Sequence, residues 1–228
     1  MNIRLTGISS MAMRQLLSEV ADAWRRSSGE VAFESIGGVE AARRVQDGEA
    51  FDVVVLAADA IDKLVAAGRI IPASKTDLAR SAVAIAVRTS APRPAVDTEA
   101  ALRDAVLSAR TLGYSTGPCG VALQQLFARW GIAETIRERT LQAPPGVPVG
   151  TLIARGDVEL GFQQLSELMH IEGVEVIGPL PPGLEIVTTF SGGVCTASAQ
   201  PDVARALLDF IRSPAADEAR RRHGMQSA

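Results

Sequence analysis

The sequence predicts a two-lobed α/β protein, on three observations. The runs Phe51 to Ala57 and Ser81 to Val87 are apolar apart from Asp52 and Ser81, as in parallel strands buried on both faces. These runs alternate with segments of helical period, the mark of successive β–α units. The rhythm pauses at the Pro-rich stretch Ala91-Pro92-Arg93-Pro94 and then restarts. Composition fits a compact chain with real cores: 228 residues, 47% hydrophobic, 4% aromatic, with a mean hydropathy of +0.16.

Each element follows in order. Ile3 and Leu5 alternate with polar neighbours as a short strand. Leu16, Leu17, Val20, Ala21 and Trp24 then recur at helical spacing between Met11 and Arg26. Val31 and Phe33 form a second strand, and Val39, Ala42 and Val45 a helix stopped by Asp47-Gly48. Phe51 to Ala57 is the third strand, followed by a helix from Ala60 to Ala67 closed by Gly68. After the strand Ser81 to Val87, Asp97 or Thr98 caps a helix from Glu99 to Ser108. Thr111 to Tyr114 reads as a strand and Val121 to Trp130 as an amphipathic helix. A helix over Val149 to Arg155, a strand over Val158 to Phe162 and a short helix over Leu165 to His170 come next. Val174 to Ile177, Ile186 to Phe190 and Val194 to Ser198 read as strands. Pro201 to Arg212 and Pro214 to His223 close the chain as helices with proline in the first turn. This order predicts residues 1–82 plus 193–228 as one lobe and 83–192 as the other. Hinge strands are expected near 81–88 and 186–196, with a ligand cleft between the lobes.

Charge and cysteine content narrow the partners. A net charge of −3 excludes the basic surface expected of a nucleic-acid binder. Apolar runs are too short to span a bilayer. Cys119 and Cys195, far apart in sequence, support neither a disulfide framework nor a zinc site. Met1 to Thr6 shows no signal-peptide pattern, so the protein is expected in the periplasm if a leader has been removed and in the cytoplasm if Met1 is the native start.

The chemistry lies in a repeated device, an uncharged Ser/Thr/Gly loop that opens a helix. The loops are Thr6 to Ser10, Glu34 to Gly38, Tyr114 to Gly120 and, less cleanly, Gly146 to Thr151. Free backbone N–H groups and small hydroxyls at the positive end of a helix dipole hold an anion without a metal or fixed charge. The expected ligand contacts are Ser9, Ser10, Met11, Ser35, Gly37 and Gly38 from one lobe, and Ser115, Thr116 and Gly117 from the other. Gln163 and Gln164 join the second set, because neighbours on a strand point to opposite sides and one of them faces the ligand. Plain readings compete: serines cap helices, glycines permit turns, and polar residues after a strand form a solvated helix face. Thr188, Thr189, Ser191 and Gly192 read as hinge, and Arg88 as a surface arginine.

This order of motifs resembles the type II periplasmic binding-protein fold, and within it the molybdate-binding (ModA-like) branch of ABC-transporter solute-binding proteins. The resemblance is carried by Thr6-Gly7-Ile8-Ser9-Ser10-Met11, by Phe33-Glu34-Ser35-Ile36-Gly37-Gly38 and by Arg155-Gly156-Asp157-Val158-Glu159-Leu160-Gly161. Its most specific part is the block from Ala50 to Asp59 with Leu64-Val65-Ala66-Ala67-Gly68-Arg69-Ile70. It implies a monomer that binds a small anion without a cofactor or metal and delivers it to a membrane permease. Gln164 stands where that branch carries a ligand-contacting tyrosine, and the third loop lacks the branch's aromatic. The implied ligand is therefore an oxyanion or a small carboxylate. Some relatives resemble aconitate isomerase, so an isomerase of a small polycarboxylate is the alternative. It would need one base, and Glu34, Glu167 and His170 are the candidates. His170 and His223 show no nucleophile or metal partner in sequence.

Overall fold

The computed structural model describes residues 4–228, so Ile3 of the expected first strand lies outside the described residues. In chain order the first elements are β1 (Arg4–Ser10), a 3-10 turn (Met11–Met13), α1 (Arg14–Arg25), β2 (Glu30–Ile36), α2 (Gly38–Gln46), β3 (Val53–Ala57), α3 (Ala58–Ala66) and the long β4 (Thr76–Arg88). The middle of the chain forms α4 (Glu99–Ser108), β5 (Leu112–Tyr114), α5 (Pro118–Arg129), α6 (Ala133–Ile136), β6 (Thr140–Gln142), α7 (Val149–Arg155), β7 (Leu160–Gln164), α8 (Leu165–Leu168) and β8 (Val174–Pro179). The chain ends with β9 (Val187–Val194), α9 (Pro201–Arg212), α10 (Asp217–Arg222) and β10 (Met225–Gln226).

The fold is α/β and divides into two compact units. One comprises the described residues through Ser81 together with Thr189–Ala228, the other Ala82–Thr188. The second break falls at the start of β9, earlier than the expected 192–193. The expected strand Ile186 to Phe190 is β9, which runs on to Val194; of the expected strand Val194 to Ser198 only Val194, at the end of β9, and Cys195, in an isolated bridge to Ile70, pair, and Thr196 and Ala197 form a turn.

In the first unit β1 lies between β2 and β3, parallel to both, and β9 runs antiparallel along the other side of β3. β10 pairs antiparallel with Arg80 and Ser81 of β4. The alternation within β3 shows why its sequence is apolar throughout. Val53 and Val55 pack with Leu16, Leu17, Trp24 and Leu208 on one face, and Val54 and Leu56 with Ala41, Val45 and Ile61 on the other. Gly7 is a close approach, since a Cβ there would lie 2.4 Å from the Phe33 ring.

In the second unit β7 and β8 flank the later half of β4, both antiparallel to it. β5 runs parallel to β7, and β6 parallel to β5. Val83, Ile85 and Val87 face one core with Leu102, Leu123 and Phe162, while Ala84 and Ala86 face another with Val149 and Ile153. Thr98 caps α4 through the Ala101 N–H at 3.2 Å. Among the described residues no helix is long and apolar enough to cross a membrane.

Candidate functional site

The first unit gathers a set of neutral donors at the carboxyl ends of β1 and β2. Ser9 and Ser10 lie within β1, and Glu34, Ser35 and Ile36 within β2, so the expected loops are strand. Thr6 to Ser10 pair in register with Ala32 to Ile36, and that pairing outweighs the turn tendency of serine and glycine. Only Gly37 separates β2 from α2. Ser9 sits directly opposite Ser35, and their Oγ atoms are 2.8 Å apart. Arg14, the first residue of α1, donates from Nη2 to the Ser35 carbonyl at 3.1 Å, pinning the end of β2. A cation at a helix start opposes the dipole, and that oddity was the sequence signal for this tie.

Ser10 is the most informative residue of this set. It precedes the 3-10 turn in the capping position, yet its side chain makes no capping bond. Its Oγ is buried without a partner, in a residue only 8% exposed. A Cβ on Gly38 would stand 3.5 Å from the Ser10 Cβ, so the start of α2 lies against this side chain. Gly37 caps α2 without a side-chain bond, which leaves the N–H groups of Gly38, Val39 and Glu40 without partners inside the helix. A buried hydroxyl with no partner costs about 1–3 kcal/mol, and such groups are rare in native proteins. An anionic oxygen at this helix end would satisfy both the hydroxyl and the N–H groups. Met11 is half-buried beside them, and the one acidic residue of the first turn, Glu40, is held by Arg43 at 2.6 and 2.9 Å.

The second unit carries its own set. Ser115, Thr116 and Gly117 leave β5 and open α5. Gly117 has φ +99, a conformation that favours glycine, and Pro118 starts the helix. The loop folds back so closely that a Cβ on Gly120 would lie 2.2 Å from the Ser115 carbonyl oxygen. The first turn of α5 holds no acidic residue, and the N–H groups of Cys119 and Gly120 lack partners inside the helix. Ser115 Oγ donates to Cys119 Sγ at 3.9 Å. Burial pushes the Cys119 thiol up to about 12, the Ser115 hydrogen bond opposing and the negative charge of Glu167 adding to the shift. It is a neutral thiol, poorly suited to nucleophilic chemistry.

The two glutamines behave differently. Both lie inside β7 and are buried, so neither belongs to a solvated helix face. Gln163 is fully engaged: its Oε1 accepts the Val149 N–H at 2.8 Å and its Nε2 donates to Glu167 Oε1 at 2.8 Å. This corrects two expectations. Gln163 is an internal brace, and the helix start at Gly146 to Thr151 already holds a protein carbonyl. Gln164 donates from Nε2 to Thr188 Oγ1 at 2.7 Å, while its Oε1 is buried without a partner. Thr188, read as hinge in the sequence, is thus the anchor of this amide. Tyr114, the last residue of β5, lies opposite Phe162 of β7, and Gln164, two residues beyond Phe162, shares its face of the strand.

Of the candidate bases, Glu34 is paired with Arg44 at 2.5 Å, Glu167 is held by Gln163, and His170 is exposed beyond α8. His223 has a structural partner: its Nε2 lies 2.9 Å from Glu19 Oε2 and ties the end of α10 to α1. Arg88 is exposed, as a surface arginine should be.

The sequence pattern of the family described as Bacterial extracellular solute-binding protein matches residues 5–226. The chain belongs to that family. This solute-binding protein is 35% identical over 222 residues to the aconitate isomerase of a Pseudomonas species, a match covering 94% of this chain and 84% of that one. It is 24% identical over 215 residues to the molybdate-binding protein ModA of Azotobacter vinelandii, covering 91% and 84%. The solved Azotobacter vinelandii periplasmic molybdate-binding protein superposes with a TM-score of 0.81 at 17% identity, covering 97% of this chain and 98% of that one. The solute-binding protein therefore has the type II periplasmic binding-protein fold.

Proposed function

We propose that this solute-binding protein captures a small anion, an oxyanion or small carboxylate, and presents it to an ABC-type permease. The observation that carries this reading is the buried, unpartnered Ser10 hydroxyl against the start of α2, beside the Ser9–Ser35 pair. In this reading the candidate contacts are Ser9, Ser10, Met11, Ser35, Gly37 and Gly38 in the first unit, and Ser115, Thr116, Gly117 and Gln164 in the second. Neutral donors suit a ligand that must be released as well as held. The protein acts as a monomer in the periplasm, the location that the family description supports. The test is calorimetric titration with molybdate, tungstate, sulfate, phosphate, citrate and both aconitate isomers. At 100 times its dissociation constant a true ligand adds about 2.7 kcal/mol to stability, which a melting curve also reads. No response to any of these anions would refute the proposal.

A second reading, isomerisation of a small polycarboxylate, is favoured by the 35% identity to the Pseudomonas enzyme. Glu167, oriented by Gln163, would then take a proton from the methylene carbon and return it to the far end of the allylic system. Incubation with trans-aconitate, followed by proton NMR for the cis isomer, decides it.

A further inference from the structure

The polarity of the unused end of Gln164 restricts the ligand more narrowly than "small anion". A fully deprotonated oxyanion such as molybdate or sulfate offers only acceptors, and every group expected to hold it should be a donor. Gln164 breaks that pattern. Its Nε2 is committed to Thr188 Oγ1 at 2.7 Å, and the buried end without a partner is the carbonyl, Oε1, in a residue 5% exposed. A buried acceptor calls for a donor, and an anion supplies one only if it also carries an O–H.

The surroundings within the same unit give the rest of the ligand. Gln164 lies two residues beyond Phe162 on the same face of β7, the face whose core also takes Cys119 and Leu123 of α5, and β5 leads through Thr116 and Gly117 into that helix. The helix start, without an acidic residue in its first turn, favours a carboxylate. The amide oxygen one strand away favours a hydroxyl on the same small molecule.

We propose that the ligand is a hydroxycarboxylate, with a carboxylate on the start of α5 and its hydroxyl donating to Gln164 Oε1. The proposal rests on the anion-binding reading and adds the requirement for a hydroxyl. It also assigns Gln164 as the residue that sets specificity, in place of the tyrosine of the ModA-like branch.

Matched pairs differing by one hydroxyl provide the test: citrate against tricarballylate, and L-malate against succinate, titrated calorimetrically into the full chain at pH 7.5. The hydroxyl-bearing member of a pair is expected to bind about 10- to 100-fold tighter. Gln164→Leu should bring that ratio close to one. Gln164→Glu keeps an acceptor of the same shape, so it should preserve the ratio while weakening both members by charge repulsion. The readout is a ratio within each variant, so a general loss of affinity does not obscure it. A wild-type ratio near one, or a ratio that survives Gln164→Leu, overturns the proposal. So does binding of molybdate or sulfate more tightly than any of the four acids, as expected if Nε2 rather than Oε1 faced the ligand; the anion-binding reading would then stand. Binding of none of these anions removes both.

Discussion

Replacing Ser10 by alanine separates a ligand group from a helix cap because the two roles predict opposite signs for stability. Ser10 Oγ has no partner and its residue is 8% exposed, so folding strips the hydroxyl of water without replacement. That burial costs about 1–3 kcal/mol, and Ser10→Ala removes it while leaving a void smaller than a methyl group. The ligand-free variant is therefore expected to gain about 1 kcal/mol. For a chain of this size that is a rise of about 2–4 °C in Tm. With ligand the sign reverses. A hydrogen bond to a charged group contributes about 1.5–3 kcal/mol, so the variant should bind about 10- to 150-fold more weakly. The assays are urea unfolding without ligand and calorimetry with the tightest anion found. Ser9→Ala is the control: its hydroxyl is bonded to Ser35 at 2.8 Å, so it should lower Tm. A Ser10→Ala protein that melts lower without ligand and binds with unchanged affinity would refute the reasoning and make Ser10 a cap.

Three further outcomes are expected. Gln163→Leu removes the hydrogen bonds that Gln163 makes to the Val149 N–H and to Glu167, and should cost about 1–3 kcal/mol in urea unfolding. The Arg222 hydrogen bond, aided by His223 and opposed by burial, holds the Glu19 carboxyl below its ordinary value. A depressed carboxyl contributes stability above its unfolded pKa, about 4.3, and loses it as pH falls through the lower folded value. Glu19→Gln should therefore flatten the fall of the urea midpoint between about pH 5 and pH 3, and an unchanged slope would show that the pair contributes nothing. Burial pushes both Cys119 and Cys195 up to about 12, so native protein at pH 8 should resist iodoacetamide until unfolded; rapid native labelling would contradict their burial.

Much of the fold was legible because its signals are local. The valine run of β3, the Thr98 cap, and the prolines opening α9 and the turn at Pro214–Ala216 fall where sequence places them. The errors arise where pairing with distant strands decides the outcome. Thr6 to Ser10 looks like a loop by composition, but its neighbours in register draw it into β1. The short β6 and β10 carry too few residues for a periodic signal, and each exists only through its partner strand. At the candidate site, sequence selected residue types and could not say which atoms were already occupied. Gln163 and Gln164 are adjacent and identical, yet one is saturated by Val149 and Glu167 while the other keeps a free carbonyl. That distinction depends on α7 and β9, which meet β7 only in the folded chain.

The first unit is assembled from both ends of the chain, and this has a consequence for synthesis on the ribosome. β3 needs Val187–Val194 as its neighbour, and β4 needs Met225–Gln226. After Ser81 is made, 226 − 81 = 145 residues must still be added before β10 exists. At about 5–20 residues per second that is a wait of roughly 7–30 s. During this interval the contiguous Ala82–Thr188 segment emerges whole and has all its own strands, whereas the apolar β1–β3 segment made before it has only part of its sheet. The nascent chain thus finishes its second unit first, and the sheet that carries Ser10 is completed only when Met225–Gln226 arrive.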